Sequence, residues 1–370
     1  MSAWPKVRLS EVCEFKYGKS LPKSSRVEGE SNVFGSNGVV GTHTTPLTAG
    51  PTIVVGRKGS LGEVNYSDHP CWPIDTTYYV DETSTEADLR WLFHRLSDLG
   101  LPNLNRAAAI PGLNREDAYR KEFLLPPIEE QRRIAAILDH ADTLRAKRRE
   151  ALARLDELGE AIYVDMFEAR AIEVMHVRLD DVADISSGIT KGRKVNDSPL
   201  REVPYLAVAN VQDKRLELSA VKTIEATAAE IQRWVLKQND LLLTEGGDPD
   251  KLGRGTLWAN ELPEAIHQNH VFRVRPDCER VNPVYLNWAV GSSRGKAYFL
   301  RSAKQTTGIA SINMTQLKAF PLEMPDMRVQ REFAQRVQAL DSTRASHRTA
   351  LSELDALFAS LQSRAFRGEL

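Results

Sequence analysis

One stretch of this chain occurs twice without a gap, and any fold must accommodate both copies. Leu125–Phe167 reads LPPIEEQRRIAAILDHADTLRAKRREALARLDELGEAIYVDMF, and Met324–Phe366 follows it at a constant offset of 199. Pro126 pairs with Pro325, Gln131 with Gln330, Asp142 with Asp341, Arg145 with Arg344 and Phe167 with Phe366. Each copy reads as one long helix. Both open on proline, whose missing N–H costs nothing in a first turn. Glu129 and Glu130 suit the positive end of the helix dipole, and Asp326 stands where an N-cap would. Alternating steps of four and three from Ile134 reach Leu138, Ala141, Arg145, Arg148, Leu152, Leu155, Gly159, Ile162 and Met166. The same steps from Phe333 reach Val337, Leu340, Arg344, His347, Leu351, Leu354, Phe358, Leu361 and Ala365. This is a heptad seam, mostly apolar, broken by polar residues at the same two places in each copy. Roughly 40 residues at 1.5 Å each make a rod of about 60 Å. The ungapped match favours two helices packed on each other over two unrelated amphipathic helices. Leu138, Leu152, Leu155 and Ile162 of one would then pair with Val337, Leu351, Leu354 and Leu361 of the other. Arg145, Arg148, Arg344 and His347 either fix the register, face solvent or meet a partner.

A second repeat opens each half. VRLSEVCEFKYGKSLPK at 7–23 returns as VRLDDVADISSGITKGRK at 177–194, at an offset of 170. Each copy predicts a strand, a short helix capped by Ser10 or Asp180, and a glycine turn into a basic loop. Between these landmarks the halves diverge, and the second is longer by 29 residues. VFGSNGVVG (33–41) predicts a turn between apolar runs. TIVVGRKGSLGEV (52–64), PIDTTYYV (73–80), PYLAVANV (204–211), DLLLTEGGDPDKLGRGTLW (240–258) and AIHQNHVFRV (265–274) are β-rich runs with polar loops. Helices are expected at 86–99 and 283–300. The fold class is therefore α+β: two globular α/β domains separated by two long helices, in an internal repeat. The expected division is 1–124, 125–170, 171–323 and 324–370. RAAAIPGLN (106–114) already pairs with QTTGIASIN (305–313) at the offset of 199.

Chemistry is hard to find. Gly18-Lys19-Ser20 mimics the end of a phosphate loop, but Cys13 stands where its first glycine belongs. His267 and His270 fall on an expected strand, where they point to opposite faces. Asp248 and Asp250 sit among glycine and proline, which marks a turn. The cysteines, Cys13, Cys71 and Cys278, match no zinc or disulfide spacing. Neither a signal peptide nor a membrane span is visible, so the expected location is cytoplasmic. The chain is expected to be no catalyst and to hold no metal or cofactor. Its glycine- and basic-rich loops have another use, since Lys, Arg, Ser and Asn bond phosphates and base edges where glycines let the backbone approach. In the first half the candidates are Lys19, Ser20, Lys23, Ser36, Asn37, Arg57, Lys58 and Ser60. In the second they are Lys191, Arg193, Lys194, Asn210, Gln212, Lys214, Arg215, Lys251 and Arg254, with Gln268 and Asn269 as further base readers. A formal net charge of −1 is unfriendly to DNA binding unless these residues cluster or a partner supplies the field.

With these residues in view, the chain resembles the specificity subunit of type I restriction–modification systems over nearly its whole length. PPIEEQRRIAAILD, the Val-Arg-Leu domain starts, the Gly-Ser-Asn-Gly loop and GRKGSLG carry the resemblance. YLAVANVQD, DLLLTEGGD and INMTQLKAFPL add to it. It implies two target-recognition domains, each reading half of a split double-stranded DNA sequence in the major groove. It also implies an antiparallel coiled coil that sets the half-site spacing and docks two methyltransferase subunits, and through them restriction subunits. S-adenosylmethionine, ATP and magnesium would belong to those partners. The competing expectation is a scaffold whose coiled coil pairs two copies of a protein without reading DNA.

Overall fold

The computed structural model describes residues 4–104, 112–169, 173–194, 199–248, 251–306 and 309–370. Most of the expected pairing of 106–114 with 305–313, and Asp250, lie outside them. The chain forms two compact units, Met1–Leu152 with Ser346–Leu370, and Ala153–Ala345.

In the first unit the central sheet runs in the order Lys16–Tyr17, Thr77–Asp81, Thr52–Gly56, Val64–Ser67, antiparallel throughout. Thr52–Gly56 is buried along its whole length, as its unbroken apolar run requires. The expected turn at Ser36-Asn37 closes the hairpin Ser31–Gly35/Gly38–His43, with Gly38 at φ +98°. The strand Ser31–Gly35 also pairs in parallel with Trp72–Pro73. The second unit repeats this register. Ala183–Ser187, Val271–Pro276, Leu241–Thr244 and Gly255–Leu257 follow in the same order, and Leu200–Leu206 pairs in parallel with Ile266–His267. Tyr17 thus corresponds to Ser187, Phe34 to Leu206, Val55 to Leu243 and Tyr78 to Phe272. The hairpin Val211–Gln212/Arg215–Leu216 and the helix Ala228–Trp234 have no counterpart among the described residues of the first unit, whereas the pairing of Gly246 with Ser311 is matched there by a bridge between Lys58 and Gly112. That hairpin and helix occupy the longer second variable region.

Three local expectations need correction. Ser10 and Asp180 are not caps: each lies inside a single 3-10 turn, Leu9–Glu11 or Leu179–Asp181, that follows Arg8 or Arg178. The helix expected at 283–300 is two, Pro283–Gly291 and Ser293–Ser302, because the Ser292 side chain accepts from Gly295 N and restarts the helix. The run 265–274 is likewise broken, into Ile266–His267 and Val271–Pro276.

The long helices are Ile128–Tyr163, widening into a π-helical turn at Val164–Glu168, and Met327–Arg367. Asp326 caps the second through Arg328 N at 2.8 Å. Within each unit the two run antiparallel. In the first, Arg133 reaches the carbonyl of Leu370 at 3.0 Å while Arg145 Nε meets Asp355 at 2.6 Å. In the second, Arg344 Nη2 donates to the carbonyl of Leu155 at 2.7 Å and pairs with Asp156 at 3.0 Å. Arg145–Asp355 and Arg344–Asp156 are the same pair in the two copies. Leu138 and Val337 are buried under their globules, and Ile162 and Leu361 are partly buried against theirs. Leu152, Leu155, Leu351 and Leu354 are only half-buried, because two helices alone cannot enclose a seam. No described helix is long and apolar enough to cross a membrane.

The repeated glutamines join helix to globule. Gln131 Nε2 donates to the Pro126 carbonyl at 2.8 Å, and its Oε1 accepts from the backbone N–H of Asp88, the cap of Leu89–Asp98. Gln330 does the same with Pro325 and with Asn282, the cap of Pro283–Gly291. Both glutamines are almost fully buried with both amide ends satisfied.

Candidate nucleic-acid interface

In the first unit the loops at one end of the sheets converge on the segment Pro73–Thr77. Lys19 N donates to the Pro73 carbonyl at 3.0 Å, and Trp72 Nε1 to the Lys19 carbonyl at 2.9 Å. Arg57 N and Lys58 N both donate to the Thr76 carbonyl, at 2.9 and 3.1 Å. These close approaches need glycine: a Cβ on Gly18 would lie 2.1 Å from the Ile74 oxygen, and one on Gly56 2.1 Å from that of Ser60. The result is a loop platform with Lys19, Ser20, Asn37 and Lys58 exposed and Ser60 half-buried. Lys23, on a 3-10 turn further along, is also exposed.

Arg57 holds the middle of this platform. Its guanidinium lies 5.4 Å from the Tyr17 ring centroid and 5.9 Å from that of Tyr78, and Nη2 donates to the Asp75 carbonyl. The Arg115 guanidinium also lies 5.5 Å from the centroid of Tyr17, which is 54% exposed. Cation–π contact of this kind fixes a guanidinium without spending all its donors. Tyr17 and Arg115 escaped the sequence reading. The Tyr-Gly pair that ends the strand Lys16–Tyr17 was the available signal, but only the fold brings Arg115 to it.

Ser36 and Asn210 are corrections. Ser36 is buried and donates its hydroxyl to the Thr76 carbonyl, while Asn210 is buried and ties Ala207, Glu217 and Ala220 together. Their side chains build the loops and do not face out of them.

The second unit has the same platform around 267–270. Asn269 N donates to the Ile189 carbonyl at 3.0 Å, Gln268 N to that of Leu206 at 2.9 Å, and Glu245 N to that of His270 at 3.0 Å. Gly188 repeats Gly18, since a Cβ there would lie 1.9 Å from the His267 oxygen. Lys191 and Lys194 are exposed, and Gln268 and Asn269 half-buried. Other candidates are engaged elsewhere. Arg193 forks onto Glu230 at 2.6 Å and holds that carboxyl down at about 2. Gln212 accepts from Arg254 at 3.1 Å. Lys214 sits 4.0 Å over the Trp288 ring, and Lys251 pairs with Asp248. Arg215 is exposed beside Glu217 at 3.9 Å.

The two histidines do differ in environment, although not as residues of one strand. His267 is fully buried, and burial pushes its imidazole down to about 4. His270 lies in the turn, exposed, with Nδ1 on Glu245 Oε2.

The sequence matches the family described as type I restriction modification DNA specificity domain over residues 1–154 and 172–356. It is similar to the StySPI type I restriction enzyme specificity subunit of Salmonella potsdam, 24% identical over 194 residues, 51% of this chain and 41% of that one. It is 22% identical to the EcoBI specificity subunit of Escherichia coli over 355 residues, 86% of this chain and 73% of that one. The matched stretch thus spans about two fifths of the Salmonella protein. The fold is shared with the type I restriction–modification S subunit from M. genitalium, at TM-score 0.63 and 16% identity, covering 98% of this chain and 96% of that one.

Proposed function

The chain belongs to the type I restriction modification DNA specificity family, and from that premise we propose that each globular domain reads one half of a bipartite DNA sequence in the major groove. The observation that carries this reading is the pair of loop platforms, built on one strand register and furnished with different side chains. A shared scaffold with divergent tips suits two readers of unlike half-sites, because phosphate contacts position a protein and base contacts specify its target. The long helices would hold the half-sites about one or more turns of 34 Å apart.

In this proposal the helices also dock two adenine-methyltransferase subunits, and restriction subunits through them. Ile137, Leu144, Leu354, Leu357 and Leu361 line an apolar groove of about 430 Å³ in the first unit. Leu144 and Leu357 are 40% and 49% exposed there, which suits a helical partner. The chain itself would be non-catalytic and cytoplasmic, with S-adenosylmethionine, ATP and magnesium held by the partners.

Methylome sequencing of cells with the methyltransferase genes, with and without this gene, tests the proposal. A bipartite adenine-methylated motif that vanishes with the gene is expected. Its absence, together with gel shifts in which cognate and random DNA compete equally, would favour the scaffold reading instead.

A further inference from the structure

The two platforms differ most at one position. Arg57 N donates to the Thr76 carbonyl and the Arg57 carbonyl accepts from Leu113 N at 2.8 Å. Glu245 N donates to the His270 carbonyl and the Glu245 carbonyl accepts from Ile312 N at 2.9 Å. The flanking strands are in the same register, so Arg57 and Glu245 occupy one site in the two copies. Tyr17, whose ring supports Arg57, is replaced by Ser187, and Thr76 is replaced by His270. A cation braced by aromatic rings in one domain has become a carboxylate braced by an imidazole in the other.

Neither group is consumed by the fold. Among the described residues Arg57 has no carboxylate partner: Nη2 bonds a carbonyl, and buried Nε has no acceptor. In the second domain Asn269 Nδ2 lies 3.3 Å from His270 Nε2. The amide donates there, so the imidazole carries its proton on Nδ1 and gives it to Glu245 Oε2. Glu245 Oε1 is left as a directed, anionic acceptor. A solvent-facing carboxylate–imidazole pair contributes little to stability, so its fixed geometry is better explained by use than by folding.

We propose that these are the base-reading positions of the two domains: Arg57 takes the two acceptors on the major-groove edge of a guanine, and Glu245 accepts from an exocyclic amine on a base edge. The inference rests on the DNA-reading function above. Guanine O6 and N7 match a guanidinium fork, and cytosine N4 or adenine N6 matches a carboxylate. Tyr17 and His270 are positioning residues for the two readers.

The test is methylome sequencing in cells that express the methyltransferase with wild-type chain, Arg57→Ala, Arg57→Lys, Glu245→Gln or Glu245→Asp. Arg57→Ala is expected to make one guanine of one half-site degenerate, with about a tenfold or greater loss of discrimination there, and Arg57→Lys to do so only partly. Glu245→Gln is expected to relax a single cytosine or adenine in the other half-site alone, and the base that becomes degenerate identifies the amine. Glu245→Asp, which keeps the charge and shortens the reach, is expected to relax the same position less. An unchanged motif overturns the inference, as does degeneracy of both half-sites by one variant. So does uniform loss of methylation by variants that still melt and co-purify with the methyltransferase like wild type, since that marks a general affinity contact. Failure of the wild-type chain to direct any bipartite motif would instead remove the function on which the inference stands.

Discussion

His267 has its Nδ1 donating to the Val271 carbonyl at 2.7 Å, while Nε2 is buried without a partner. Burial, reinforced by the nearby charge of Arg273, lowers its pKa from 6.5 to about 4. Between those values the unfolded chain binds more protons than the folded one, so stability falls as pH falls through that window and is unaffected above it. Lowering the pH from 7 to 5 should cost the second domain about 2 kcal/mol from this residue. His267→Gln keeps a donor for Val271 and should remove most of that slope in chemical denaturation at the two pH values; an unchanged slope would assign it elsewhere. Little of this was legible in IHQNHVF, where two histidines three apart read as polar strand positions. What buries one and exposes the other is the break of the strand at Gln268, set by pairing with Leu206. Arg193 was illegible for a similar reason: its partner Glu230 is 37 residues away, on a helix the first domain lacks. Arg57 was legible as a basic loop residue, but the aromatic rings beneath it were not.

At the scale of elements, the long helices could be read almost to the residue, because proline and heptad period point the same way in both, joined by an acidic first turn in the first and by the Asp326 cap in the second. The repeated Gln131 and Gln330 were visible as a match, but not as clamps on another helix's cap. Also hidden was an exchange of sizes beside the seam. Six residues past their caps, His94 in the first unit and Trp288 in the second face equivalent places on the long helices. His94 meets the large Phe358 ring, at 6.1 Å between centroids, whereas Trp288 fills the space left by Gly159. Pairing each residue with its own counterpart conserved the helices and gave no hint that one copy is small where its neighbour is large. A Cβ on Gly159 would lie 2.6 Å from Trp288 Cη2. Gly159→Ala gains about 1 kcal/mol in an unhindered helix; here it is expected to lose about 1–3 kcal/mol instead, through overpacking. Adding Trp288→His should restore much of the loss in thermal unfolding, as the first unit's own solution implies. Additive destabilisation by the two substitutions would show that the ring and the glycine are not coupled.

For the whole molecule, charge decides how the proposed function is carried out. With 49 basic and 50 acidic residues, the chain has almost no net field to draw DNA in. Several of the basic loop residues are already neutralised, Arg193 by Glu230 and Lys251 by Asp248. The exposed loop cations, Lys19, Lys23 and Lys58 in one domain and Lys191, Lys194 and Arg215 in the other, leave only a few phosphate contacts to each. Each phosphate neutralised releases counterions and adds about 0.9 to the slope of log affinity against log salt. The chain alone should therefore bind DNA weakly, with a shallow salt dependence and little preference for its cognate sequence. If the proposed function holds, adding the methyltransferase subunit should steepen the slope as well as tighten binding, because the partner would then supply phosphate contacts that this chain lacks. Fluorescence anisotropy across a salt series, with and without partner, measures both quantities. If the chain alone bound cognate DNA tightly and with the full salt slope, its own loops would supply the phosphate contacts assigned here to the partner.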